Sequence, residues 1–146
     1  MKISTLLWCA TVVAACANVA PPNPAEAERL STARTLLAQD PHAACRIADE
    51  LLADNDALRE ARLLRADGSI RIAASDPRNR GSLLLDAVSD LQKAVQGMAD
   101  DAAAPALRQL AECHYELGEF EAGSDAGTRA AAAYAALETV DLLIKE

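Results

Sequence analysis

Residues 107–122 read LRQLAECHYELGEFEA and decide the fold, because they contain two helical segments joined by a tight corner. Apolar residues recur at Leu107, Leu110 and Ala111, which is the spacing of one face of an α-helix. The corner is Leu117-Gly118-Glu119, where the glycine interrupts the helical pattern. A connection this short predicts that the two helices form an antiparallel hairpin.

From Ala25 onward, segments with apolar residues at helical spacing alternate with turn signals. This pattern predicts six helices. Asp40-Pro41 offers an N-cap followed by proline at the first helical position, and Asp76-Pro77 opens the longest loop. The predicted helices cover residues 25–38, 41–54, 57–74, 80–98, 104–117 and 120–144. Aromatic residues are only 3% of the 146 residues, so the apolar content comes from helix formers. The prediction is one all-α domain of three stacked antiparallel hairpins, with an irregular helical bundle as the alternative.

The N-terminal segment has the pattern of a secretory signal. Lys2 provides a positive charge, and residues 3–15 are apolar apart from Ser4, Thr5 and Thr11. Such a run is too short for a transmembrane helix, which needs about 20 residues. Two processing sites compete here, an ordinary cleavage after Ala15-Cys16-Ala17 and a modification of Cys16 itself.

We favour the second, because Val13-Ala14-Ala15-Cys16 resembles the lipobox of bacterial lipoproteins. The resemblance implies a diacylglyceryl thioether and an amide-linked acyl chain on Cys16, which together anchor a protein firmly to a membrane. It also implies an outer-membrane protein facing the periplasm in a Gram-negative source, since Ala17 rather than Asp follows the cysteine. The expected division is a signal peptide at 1–15, a lipidated tether at 16–24 and a helical domain at 25–146.

A second resemblance concerns the helices. Leu107-x2-Leu110-Ala111-x2-His114 takes the places of a W-x2-L-G-x2-Y pattern, and Ala87-x3-Leu91-x2-Ala94 is similar to A-x3-F-x2-A. These patterns resemble tetratricopeptide repeats, with a more approximate version at Leu30-x2-Ala33. The resemblance implies a short superhelix whose small residues allow close helix packing and whose groove binds an extended segment or a helix of a partner.

Charge and composition argue against several functions. The net charge is −8, and it becomes −9 without Lys2, which does not suit a nucleic-acid binder. His42 and His114 have no second ligand at metal spacing, and no glycine-rich phosphate loop occurs. We therefore expect no enzyme activity, no metal and no cofactor. Cys45 and Cys113 lie in alanine-rich helical patterns, which favours buried thiols over a disulfide.

One basic stretch stands out in this acidic chain. Arg59, Arg62 and Arg65 are spaced i, i+3, i+6 along one helix, and Arg71 follows. Guanidinium groups suit carboxylates or phosphates of a partner, so these four arginines are candidate contacts, together with His114. The alternative is that they form surface ion pairs with Asp54, Asp56 or the acids of a neighbouring hairpin.

Together these features predict a membrane-anchored protein-binding adaptor, or a pilotin-like assembly factor, for an envelope complex such as a secretion or pilus system. A structural lipoprotein that binds peptidoglycan or lipid headgroups is the alternative. A periplasmic hydrolase is the third reading, and it predicts that His114 or Glu112 lies buried in a concave pocket.

Overall fold

The computed structural model describes residues 21–144, and within this range it contains helices and no strand. The all-α prediction is thus confirmed. The six helices are α1 (Pro24–Leu36), α2 (Pro41–Asp54), α3 (Arg59–Ser75), α4 (Arg80–Val95), α5 (Asp100–Glu116) and α6 (Phe120–Ile144). The predictions for the signal, for Cys16 and for most of the tether concern residues outside the described part of the chain.

Local side-chain chemistry explains where the first two helices begin. At α1, the Glu26 amide donates to the Asn23 side chain at 2.9 Å, and the Asn23 amide donates to the Glu26 carboxylate at 2.7 Å. This reciprocal pair is a capping box. At α2, the Ala43 amide donates to the Asp40 carboxylate at 2.9 Å, as the Asp-Pro signal predicts.

The predicted boundaries differ most between α4 and α5. We expected α4 to reach residue 98, but it ends at Val95, and Gly97 has a positive φ of 69° that a helix does not accommodate. We expected α5 to begin at residue 104, but it begins at Asp100. Two aspartates in the first turn favour this earlier start because they interact well with the positive end of the helix dipole. As a result, Pro105 lies inside α5.

Each helix packs against the next one in the chain, and α1 also packs against α3. The apolar core has two parts. One joins α1 and α2 to the start of α3 around Leu30, Leu51 and Leu58, and the other joins the remaining hairpins around Leu91 and Leu107. The small residues expected at close helix crossings are buried, namely Ala33, Ala87, Ala94 and Ala111. This arrangement is a row of three hairpins.

Candidate functional site

A cleft of about 370 Å³ lies between the first helices of the three hairpins, α1, α3 and α5. Its surface is mostly apolar, with four polar side chains around it. The apolar lining residues are Leu37, Leu63, Leu64, Met98, Ala102, Pro105 and Ala106, and the polar ones are Arg34, Glu60, Asp67 and Gln109. A concave, largely apolar surface with a few polar groups is the usual form of a binding site.

The cleft follows directly from helical periodicity. Along α3, the lining residues Glu60, Leu63, Leu64 and Asp67 are spaced i, i+3, i+4, i+7, so they share one face of the helix. The residues of α5 have the same spacing from Ala102 to Gln109. The other faces of α3 and α5 pack against the second helices of the hairpins, which leaves these faces to form the cleft.

The charges at the edge of the cleft are paired with one another. Arg34 of α1 forms an ion pair with Glu60 of α3. Asp67 accepts from Arg71, four residues further along α3, at 3.1 Å. Because both carboxylates already have a guanidinium partner, the cleft presents an apolar surface with balanced charge.

The four predicted arginines do not form one open row. Arg62 is only 6% exposed, and its guanidinium pairs with Asp56 and, at 3.3 Å, with Asp90 of α4. Arg65 donates to Asp90 at 2.6 and 2.7 Å and to Asp49 of α2 at 2.8 Å. The Asp90 carboxylate raises the pKa of the Arg65 guanidinium above its ordinary value, so this cation is firmly held.

The other two arginines lie nearer to the surface. Arg59 donates to the backbone carbonyl of Gln96 at 3.1 Å, and Arg71 pairs with Asp67 on its own helix. Several of the ion pairs expected as the alternative are therefore present, including the one between Arg62 and Asp56, whereas Asp54 pairs with Arg29. Arg62 lies too deep to contact a partner without a rearrangement.

His114 lies away from these arginines, in a hollow of about 560 Å³ between α4, α5 and α6. It is 5% exposed, and its Nδ1–H donates to the Glu119 carboxylate at 2.6 Å. Asp125 and Arg129 of α6 line the same hollow. Glu112, the other residue named for a hydrolase, is exposed and pairs with Arg108.

Both cysteines of the described region are free thiols. Burial raises the pKa of Cys113 to about 11, helped by the nearby carboxylates of Glu116 and Glu112. Burial also raises the pKa of Cys45, and Asp49 adds to this. A thiol with a raised pKa is protonated at neutral pH and therefore a poor nucleophile.

Neither the cleft nor the role of Asp90 was predicted from the sequence. The signal for the cleft was the run Glu60, Leu63, Leu64, Asp67, in which two leucines sit between acids on one helix face. For Asp90 the signal in the sequence is weak, because the charged residues Asp86 and Lys93 lie one turn before and after it on the same helix.

Within residues 21–144, no helix has both the length and the apolar character needed to cross a membrane. In the same range, His, Cys, Asp and Glu do not gather in groups of three or more that would suit a metal ion. No protein family matches this chain, and comparisons with curated proteins and with solved structures give no significant match. The class that the fold defines is an all-α row of helical hairpins with an apolar cleft.

Proposed function

We propose that this protein is a membrane-anchored adaptor, or a pilotin-like assembly factor, that binds a partner protein of the bacterial envelope in the cleft between α1, α3 and α5. The main support for this proposal is the apolar, charge-balanced surface of the cleft. An extended segment, or one turn of an amphipathic helix, presents apolar anchors that such a surface buries.

The proposed anchor is the lipid on Cys16, which rests on the lipobox resemblance. Seven residues, Ala17 to Asn23, separate this cysteine from Pro24, where α1 begins. If extended like polyproline II, they span about 22 Å. The domain would then work close to the outer membrane on its periplasmic side, where tethering raises its effective concentration near envelope partners.

The proposal is binding rather than catalysis. We assign no catalytic residue, metal or cofactor, and the net charge of −8 does not favour nucleic acid as a partner. His114 is buried in a hollow, but its Nδ1–H already donates a hydrogen bond to the Glu119 carboxylate. We interpret this histidine as a structural residue of the corner between α5 and α6.

A second candidate, binding of peptidoglycan or lipid headgroups, is favoured by a different surface. Arg59 and Lys93 both line a hollow of about 500 Å³ at the start of α3, together with part of Arg62. Such cations suit carboxylates of peptide stems or phosphates of lipids.

The test is crosslinking in cells, followed by affinity purification and mass spectrometry. Ala102→Glu places a charge in the cleft, and Ala131→Glu places the same charge on the exposed surface of α6 as a control. We expect a discrete envelope protein with the native chain and the control but not with Ala102→Glu. Equal recovery with all three chains would contradict the proposed use of the cleft.

The second candidate predicts a different outcome of the same experiment. Wall fragments or lipid would be recovered without a protein, and recovery would fall when Arg59 and Lys93 are both changed to Glu. Far-UV circular dichroism and thermal unfolding confirm beforehand that each variant is folded.

A further inference from the structure

We propose that the cleft between α1, α3 and α5 also receives an acyl chain of the protein's own lipidated Cys16 whenever the anchor is not inserted in a membrane. Membrane insertion would then empty the cleft for the partner. This inference rests on the proposed function, because it requires a lipid on Cys16.

The surface of the cleft suits a hydrocarbon chain. Leu37, Leu63 and Met98 are partly buried side chains that leave apolar surface in the cleft. The rim carboxylates of Glu60 and Asp67 are each neutralised by an arginine, so an uncharged occupant leaves no charge unpaired. An acyl chain also brings no backbone N–H or C=O group that would need a hydrogen-bond partner in an apolar site.

The tether is long enough to reach the cleft. Leu37, which lines it, lies 13 residues after Pro24 and follows the last residue of α1. At 1.5 Å per residue, this is a distance of about 20 Å along the helix. The seven residues from Ala17 to Asn23 span about 22 Å when extended, so the tether is long enough for an acyl chain on Cys16 to reach the edge of the cleft.

The small size of the cleft determines whether the lipid anchor prefers the cleft or a membrane. Its volume of about 370 Å³ is near the lower end of small-molecule sites, so it shelters one chain rather than the whole anchor. A bilayer buries every acyl chain, and each methylene removed from water adds to the stability of that state. We therefore expect the anchor to leave the cleft when a membrane is available.

The experiment compares two forms of the chain that begins at residue 16, both of which contain all six helices. One is the lipidated protein purified from cells, and the other is an unlipidated Cys16→Ser variant. The probe is a fluorescent long-chain fatty acid. We expect the unlipidated form to bind one equivalent, and the lipidated form in detergent-free buffer to bind less than a tenth of that. Phospholipid vesicles that capture the anchor should restore binding.

Cleft variants in the unlipidated form locate the site. Ala102→Glu and Gln109→Glu each add a negative charge to the lining and should weaken probe binding at least tenfold, whereas Ala131→Glu should not. Equal weakening by all three variants would overturn the proposal, as would strong binding of the probe by the lipidated form in buffer.

Mass spectrometry of the native chain separates the two proposals. If Cys16 carries lipid and the lipidated form still leaves the cleft open to the probe, only the inference of self-occupation fails. If Cys16 carries no lipid, the proposed membrane anchor fails, and self-occupation by an acyl chain fails with it. The crosslinking experiment with Ala102→Glu tests partner binding in the cleft independently of the lipid on Cys16 and of self-occupation.

Discussion

Asp90 of α4 accepts two hydrogen bonds from Arg65 of α3, at 2.6 and 2.7 Å, although only 2% of this aspartate is exposed. Arg62 approaches the same carboxylate at 3.3 Å. One buried anion therefore holds two cations of the neighbouring helix. Since α3 also provides the centre of the cleft, this network fixes the helix on which the cleft is built.

Removal of this anion should destabilise the fold. In Asp90→Ala, Arg62 stays buried with Asp56 as its remaining acidic partner. Loss of one member of a buried pair typically costs 3–5 kcal/mol, and because Asp56 remains we expect the free energy of unfolding to fall by about 3 kcal/mol. Urea unfolding followed by far-UV circular dichroism measures this change.

Asp86→Ala is the matched control, because Asp86 lies one turn earlier on the same helix and is exposed. A surface substitution of this kind usually changes the free energy of unfolding by no more than about 0.5 kcal/mol. If both variants lose the same stability, the buried network contributes nothing beyond an ordinary surface carboxylate.

Most of the helical framework could be predicted from the sequence, because caps and periodicity act locally. Asp40-Pro41 placed the start of α2 correctly, and the corner around Gly118 separated α5 from α6 as expected. The predicted start of α5 was wrong: we expected residue 104, but the helix begins four residues earlier, with Asp100 and Asp101 in its first turn.

The candidate site was less predictable. The spacing of Arg62 and Arg65 indicated a shared helix face but not what that face would contact. Asp90 lies 25 residues after Arg65 and 28 residues after Arg62 in the chain. Its pairing with them depends on how α3 and α4 cross. The cleft likewise needs three helices to be placed in space, which no local pattern specifies.

Gly68→Ala should destabilise the chain through a contact with α2. A Cβ atom at this position would lie 2.4 Å from the Cys45 sulfur, so the Cys45 side chain or one of the two helices must shift. Alanine favours a helix interior by about 1 kcal/mol over glycine, but overpacking a core typically costs 1–3 kcal/mol. We expect a net loss of about 1 kcal/mol in urea unfolding.

A double-mutant cycle with Cys45→Ala tests this cause, because it removes the sulfur atom. In that background Gly68→Ala should become stabilising. Gly81→Ala is a second control, since a Cβ at this exposed position meets nothing within 4 Å. If Gly68→Ala has the same effect with and without Cys45, the close contact is not the reason.

Cys113 should resist alkylation in the folded protein. Near pH 8 a thiol with the ordinary pKa of 9.0 is about a tenth ionised, whereas the pKa of Cys113 is raised to about 11 by burial. The thiolate is the reactive form, so iodoacetamide should modify Cys113 on the order of 100-fold more slowly than the unfolded chain. Mass spectrometry of the peptide that contains Cys113 measures the rate, and a rate equal to that in urea would contradict the prediction.

The same raised pKa predicts how stability depends on pH. Between the ordinary thiol pKa of 9.0 and about 11, the folded chain keeps a proton on Cys113 that the unfolded chain has released. The contribution of this thiol is therefore fully present below pH 9 and is lost as the pH rises towards 11. Cys113→Ala should show a shallower fall in the free energy of unfolding over this range, and an unchanged slope would contradict this assignment.

The contact between His114 and Glu119 should stabilise the corner between α5 and α6. In Glu119→Ala the buried Nδ1–H of His114 loses its acceptor, which typically costs about 1–3 kcal/mol. Glu119→Gln keeps a side-chain carbonyl that can accept the same hydrogen bond, so it should recover much of this loss in urea unfolding. Glu121→Ala, at an exposed position of α6, is the control. Equal stability of all three variants would mean that the hydrogen bond does not hold the corner.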